Sequence, residues 1–184
     1  MNKKQQLLKL AEEKVRKGGY NNFSFRELAN EAGIKSASVH YHFATKADLG
    51  AELAASYTDK FISALGEPDS SAGNPVSRFV DAFRSALNID QQMCLCGLFG
   101  AESAGLPEKV QRETQLFFER NICWLTHAFM NLSQLDEVIA KQEAVKLLAL
   151  LEGAMLMSNT MKDNSLFELA IEEFVEQKIQ SPSS

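Results

Sequence analysis

Proline, cysteine and strand-like alternation are all scarce in this chain. Only four prolines occur in 184 residues, and proline is the residue that breaks helix interiors. Apolar and polar residues almost never alternate at every second position, so half-buried strands have no signature here. Three cysteines are an odd number, which fits a reducing cytoplasm better than a disulfide framework. No run of 18 apolar residues is present, so no membrane-spanning helix is expected. The opening MNKKQQLLKLAEEKVRK is amphipathic and mixed in charge, unlike a signal peptide with its apolar centre and cleavage site. Enzyme signatures are missing as well: no His-Glu-x-x-His, no Gly-rich phosphate loop, no Gly-x-Ser-x-Gly and no Cys-x-x-Cys. No catalytic residue, cofactor or metal is therefore assigned, and a cytoplasmic protein that is not an enzyme is expected.

What is present favours helices. Leu, Ala, Glu, Lys and Met are abundant, and all are good helix formers. With 45% hydrophobic residues the chain can bury a real core in one or two compact domains. Charge is unevenly spread along it. Residues 1–50 carry nine Lys/Arg against five Asp/Glu, a balance of +4, whereas the remainder sums to −9 within the overall −5. A positive head on a negative body turns only the head toward a polyanion.

The segment SFRELANEAGIKSASVHYHFATKADL, residues 24–49, concentrates the functional signal. Ser24 followed by Glu27 is a capping box and predicts a helix start. Leu28, Ala29 and Ala32 give that helix a short apolar stripe. The turn Ala32-Gly33-Ile34-Lys35 follows, with a glycine free to take positive φ. Val39 and Phe43, four apart, face the core together. At roughly 100° per residue, Ala37, Ser38, His40 and Tyr41 then point outward. Thr45 with Asp48 opens a third, longer helix. Lys46 sits in its first turn, where the helix dipole disfavours a cation and where a phosphate would relieve the conflict. Two helices joined by a short Gly-containing turn form a helix-turn-helix, which lays its second helix in the major groove. Ser24, Arg26, Lys35, Ser36, Ser38, Tyr41, His42 and Lys46 are the candidates for phosphate contacts, and Ala37, Ser38, His40 and Tyr41 for base edges. The bland alternative is a helical corner whose Ser, His and Tyr form a solvated face.

These residues carry a family resemblance. Gly33, Ile34, Ser38, Val39, His40, Tyr41, His42, Phe43, Thr45 and Lys46 resemble the amino-terminal domain of TetR/AcrR regulators, as do the preceding helix with Leu7, Leu8, Ala11 and Val15 inward, the Gly18-Gly19-Tyr20 break, and Phe23. The chain departs from the commoner family pattern at Lys35, His40 and Ala44. The resemblance covers about the first 50 residues. It implies an all-α protein of about nine helices, with a helix-turn-helix DNA-binding domain at 1–48 and a ligand-binding and dimerisation domain at 49–184.

Helical patterns continue downstream. A helix runs from Lys46 to about Leu65, and Asn74-Pro75 starts another with Phe79, Phe83 and Leu87 inward. A short apolar segment spans 93–104. From Pro107 to about Leu132 the central face is expected to hold Val110, Thr114, Phe118, Ile122, Leu125 and Phe129. Residues 138–161 form a helix apolar nearly all round, which must be buried on more than one side. Ser165 with Glu168 reads as a further capping box, followed by the stripe Phe167, Ala170, Ile171, Phe174 and Ile179. Helices at 138–161 and 165–179 from two copies could pack as a four-helix interface; one large monomer core is the alternative. A dimer would read a palindromic double-stranded operator. The expected function is a homodimeric transcriptional repressor released by a small apolar or amphipathic inducer. In family terms the pocket lies between the middle helices, and its candidate lining is Phe61, Phe79, Phe83, Met93, Phe99, Phe118, Ile122 and Leu151, residues that ordinary core packing would also explain. Two other readings stand beside it: a helical small-molecule binder with no DNA role, and a thiol sensor of oxidants or electrophiles using Cys94 and Cys96. Cys123 and His127 have helical metal-ligand spacing, but a surface histidine near a packed cysteine is the better reading.

Overall fold

The structure, a computed structural model, describes residues 2–88 and 92–175. Among these the chain is all-helical, with nine α-helices: α1 Lys3–Gly18, α2 Phe25–Ala32, α3 Ser36–His42, α4 Lys46–Leu65, α5 Pro75–Asn88, α6 Leu95–Ala101, α7 Glu108–Ser133, α8 Glu137–Met161 and α9 Ser165–Val175. Short 3₁₀ turns occupy Tyr20–Asn22 and Ser103–Gly105. No described helix is long and apolar enough to cross a membrane.

Local chemistry sets most helix ends. Asn2 caps α1 by accepting from the Gln5 amide, with the Gln5 side chain returning the bond. Ser24 caps α2 by accepting from the Glu27 amide, and α2 stops at Gly33, which takes φ 64°, ψ 39°, a conformation that costs a Cβ-bearing residue energy. Thr45 and Asp48 bond each other reciprocally at the start of α4. Asn74 Oδ1 accepts from the Val76 and Ser77 amides at the head of α5. The box expected between Ser165 and Glu168 does not form. Ser165 donates instead to Asp163 Oδ1, and both Glu168 oxygens bond Arg84 of α5; a guanidinium fork outcompetes a single amide for a carboxylate.

Two compact units emerge. The first contains residues up to Lys60 together with 95–117. Its core joins Leu7, Ala11 and Val15 of α1, Leu28 and Ala29 of α2, Val39 of α3, Phe43, and Leu49, Leu53 and Ala54 of α4. Phe99 of α6 and Val110 and Phe117 of α7 complete it. The second contains 61–94 and everything described from Phe118 onward. Here Phe61, Phe79, Phe83 and Trp124 form a ring cluster, with centroids 5.4 Å apart for Phe61 and Phe79 and 5.6 Å for Phe79 and Phe83. Leu147, Leu148, Leu151 and Met155 of α8 and Phe167 and Ile171 of α9 are also buried in it.

The buried face of α7 includes Val110, Thr114, Leu125 and Phe129 as expected and differs in its middle, where Phe117, Asn121 and Trp124 are buried while Phe118 and Ile122 are half-buried. Steps of four residues overshoot a full turn by roughly 40° each, so a straight four-step line drifts off the core, and the real face alternates steps of three and four. On α9, Phe167 and Ile171 are buried and Phe174 meets Phe129 at 6.2 Å; Ile179 lies outside the described residues.

Candidate nucleic-acid interface

The expected reading helix is built as its sequence requires. Within α3 only Val39 is buried, and with Phe43 it anchors one side. Ser36, Ala37, Ser38, His40 and Tyr41 are all exposed on the other, and the Tyr41 ring is 87% exposed. A large aromatic held in solvent by a short rigid helix has no packing role in the chain itself. His40 sits edge-on to Phe25 at 4.9 Å, with its Nδ1 3.4 Å from the Ala44 carbonyl oxygen. That contact is a hydrogen bond only with the proton on Nδ1, which leaves Nε2 of the neutral ring as an acceptor. His42 is half-buried, with its ring 5.3 Å from that of Tyr41.

Cations around this helix divide into committed and uncommitted groups. Lys4 pairs with Glu52 at 2.6 Å, Lys14 with Glu31 at 2.7 Å, and Arg16 approaches Glu12. Lys3 donates to the Ala32 carbonyl at the end of α2. Arg26 and Lys35 are exposed and make no ion pair among the described residues. Arg26 on α2 and Lys35 in the turn into α3 thus bring unpaired positive charge to the region of α3, in addition to the exposed Lys9 and Lys17 of α1. Ser24 is half-buried, and its hydroxyl is engaged with Glu27.

Lys46 has a more unusual setting. Its ammonium lies 4.7 Å from the Tyr20 ring centroid and 4.5 Å from that of Phe23, a cation–π geometry. Burial lowers its pKa, against the pull of Glu27 and Glu102. Among the described residues it makes no direct carboxylate salt bridge, and it sits at the amino-terminal end of α4.

Comparison with known proteins decides the family. Residues 7–53 match the bacterial regulatory proteins of the tetR family, and residues 72–173 match the C-terminal domain of LmrA/YxaF-like transcriptional regulators. The chain belongs to the TetR family. A TetR transcriptional regulator from Legionella pneumophila is 32% identical over 96% of this chain and 97% of its own, with a TM-score of 0.89. A TetR-family regulator from Agrobacterium tumefaciens is 25% identical over 96% and 97%, with a TM-score of 0.86. The reduced form of NemR from E. coli shares the fold at 22% identity, over the full length of both chains, with a TM-score of 0.84. No curated protein matches in sequence. As a TetR-family member the chain is a DNA-binding transcription regulator and not an enzyme.

The residues expected to line the regulator's ligand site fall in both units. Phe61, Phe79 and Phe83 share the ring cluster of the second unit. Met93 and Leu151 are buried and Phe118 and Ile122 half-buried, all in that unit. Phe99 belongs to the first unit, where it packs edge-on to Tyr20 at 5.9 Å.

Sequence reasoning misses two acidic residues that the regulator uses internally. Glu152 on α8 reads in the sequence only as one of two charges in an apolar run. Its carboxyl bonds the Cys94 side chain, and its Oε1 is buried without a hydrogen-bond partner among the described residues. Burial pushes this carboxyl up to about 7, against the opposing Cys94 bond. The backbone amide of Cys94 meanwhile donates to Met155 Sδ at 3.1 Å. Glu102, just past α6, has no sequence signal at all, yet it binds the Tyr20 amide at 2.8 Å. Cys123, expected to be packed, is exposed, as is His127. No group of three or more metal-ligating side chains exists among the described residues.

Proposed function

We propose that this TetR-family regulator is a homodimeric cytoplasmic repressor that reads a palindromic operator through α3 and is released from it by a small apolar or amphipathic ligand. The observation that carries the DNA-reading part is the outward face of α3, with Tyr41 and His40 presented beside the exposed Arg26 and Lys35. In this reading Ala37, Ser38, His40 and Tyr41 meet base edges, with the His40 Nε2 acceptor suited to an exocyclic amine of adenine or cytosine. Ser24, Arg26, Lys35, Ser36, Ser38, Tyr41, His42 and Lys46 meet phosphates and set the register. Residues 1–48 are the DNA-binding part and 49–184 the ligand-binding and dimerising part.

Dimerisation is supported by what α8 leaves uncovered. One face of α8 is buried in its own unit, but Val138, Val145, Leu156, Met157 and Met161 are exposed on the helix, as is Leu169 on α9. A shallow groove of about 640 Å³ lies along the start of this face, between Val138, Val145 and the stems of Lys141 and Lys146. Contiguous exposed apolar surface marks an interaction site, and a two-fold pairing of α8 and α9 with a second copy would cover it.

Ligand release is assigned to the second unit, around Phe61, Phe79, Phe83, Met93, Phe118, Ile122 and Leu151. A ligand acts only by preferring the arrangement of the two heads that does not fit DNA. The buried thiols of Cys94 and Cys96 give little support to electrophile sensing. Cys94 faces a carboxyl, and thiolates need an electropositive setting.

Selection of bound DNA from random pools, followed by gel-shift and sedimentation, tests the proposal. The expected result is a palindromic site with half-sites about one or two helical turns apart, bound by two chains. Recovery of no consensus, or binding by one chain per site, would remove the repressor reading.

A further inference from the structure

Tyr20 is the meeting point of the first unit. Its ring lies 5.9 Å from Phe23 and 5.9 Å from Phe99 of α6. Gly50 of α4 leaves room for it: a Cβ there would stand 2.8 Å from Tyr20 Cε2 and 3.1 Å from Val110 Cγ2 of α7. The Lys46 ammonium lies over the same ring. Burial, aided by the nearby Asp48 carboxylate, raises the pKa of the Tyr20 phenol. Asp48 in turn is bonded by Lys109 of α7 and by Thr45, and both hold its carboxyl below the usual range.

Glu102 closes this arrangement from the other side. Its Oε2 accepts from the Tyr20 amide at 2.8 Å, the first amide of the Tyr20–Asn22 turn, which has no donor–acceptor partner inside so short a helix. Its Oε1 covers the Cα of Gly19 so closely that a Cβ there would stand 1.9 Å from it. Gly19 also takes φ 76°, so glycine is required there on two independent grounds. The same carboxylate helps keep the half-buried Lys46 ammonium charged. One side chain from the α6–α7 connection thus holds the 19–23 turn by its first amide, and Lys46 lies on the aromatic rings of that turn.

We propose that Glu102 is a positioning residue for DNA binding: its carboxylate, seated over Gly19 and on the Tyr20 amide, fixes the aromatic turn that carries Lys46 and so sets where that ammonium is offered to the DNA backbone. The proposal rests on the assignment of Lys46 to the DNA interface. Glu102 itself is half-buried and acts through the turn and through its charge on Lys46.

The test measures affinity for the selected operator by fluorescence anisotropy, using the full chain, with circular dichroism as a check on helix content. Glu102→Ala should weaken operator binding about tenfold, the scale of one lost charge-assisted hydrogen bond. Glu102→Gln keeps an oxygen that accepts the Tyr20 amide and should stay within about threefold of the wild type. Gly19→Ala should weaken binding in the wild-type background and cost markedly less in the Glu102→Ala background, because the obstructing carboxylate is gone. A purely structural role would show this coupling too, but would leave the Lys46 and Glu102 effects additive. Lys46→Ala with Glu102→Ala should be less than additive, since both remove one offered cation. Full operator affinity in folded Glu102→Ala, or additive Gly19 and Glu102 effects, would overturn the proposal. A Lys46→Ala variant that binds like the wild type with an unchanged salt slope would instead overturn the Lys46 assignment.

Discussion

Replacing Glu152 by Gln should stabilise this regulator, and should do so more as the pH rises. The carboxyl titrates near 7 in the folded chain and from 4.5 when unperturbed, because burial penalises its charged form. The raised value means that between these pH limits the folded state holds the proton more tightly than the unfolded state. Stability therefore falls as pH rises through this window and is constant, as far as Glu152 is concerned, below and above it. At about 1.4 kcal/mol per unit, the shift corresponds to about 3 kcal/mol. The residue keeps part of its surface in solvent, although Oε1 is out of solvent contact, so screening brings the expectation to about 1–3 kcal/mol. Glutamine has the same shape, still accepts from Cys94 and carries no charge. Urea denaturation of both proteins at equal chain concentration, from about pH 5 to about pH 8, gives the difference in unfolding free energy at each pH. Other groups cancel in that difference. The advantage of the Glu152→Gln protein should grow by about 1–3 kcal/mol across the series. A difference that stays flat, or shrinks with rising pH, would refute the buried-carboxyl argument. Cys94→Ala should move the inflection to higher pH, because the Cys94 bond favours the charged form.

Three further outcomes follow from the interface. Lys46→Ala should weaken binding to all DNA sequences alike and flatten the dependence of log affinity on log salt by about 0.9; an unchanged slope argues against a phosphate contact. Tyr41→Ala should leave thermal stability within about 0.5 kcal/mol, since the ring is exposed, yet change the preferred bases in a repeated selection; an identical consensus would remove Tyr41 from direct readout. Leu156→Glu combined with Met157→Lys should convert the sedimenting species to single chains and lower operator affinity with it, whereas an unchanged dimer mass would place the two-chain interface elsewhere.

Legibility in the sequence follows the range of the interactions. Ser24 with Glu27, Thr45 with Asp48, Asn74 before Pro75, and Gly33 all act within four residues, and each helix end they imply is present. The outward set on α3 is readable because Val39 and Phe43 fix the rotation of a short helix, and rotation alone decides exposure there. The expected α7 stripe leaves the core only at Phe118 and Ile122, where two further four-residue steps outrun a period of roughly 3.6, and it is buried again at Leu125 and Phe129. At Ser165 and Glu168 the local pattern is genuine but loses to a partner from elsewhere, Arg84, which lies 84 positions away from Glu168.

The acidic residues show where such reading stops. Glu102 is 82 positions from Tyr20, and nothing near it in sequence distinguishes it from a solvated surface acid. The visible half of the pair is Gly19, which reads as part of a helix break; only packing shows that it is also a point of close approach. Glu152 does announce itself as a charge inside an apolar run, and the ordinary inference from such a charge is a solvent-facing position. Here the carboxyl is buried beside Cys94 instead, while Leu156 and Met157, one turn further along α8, are exposed at 50% each. Removing that acid's charge and removing the apolar pair should consequently separate: the first changes how stability depends on pH, the second changes how many chains associate.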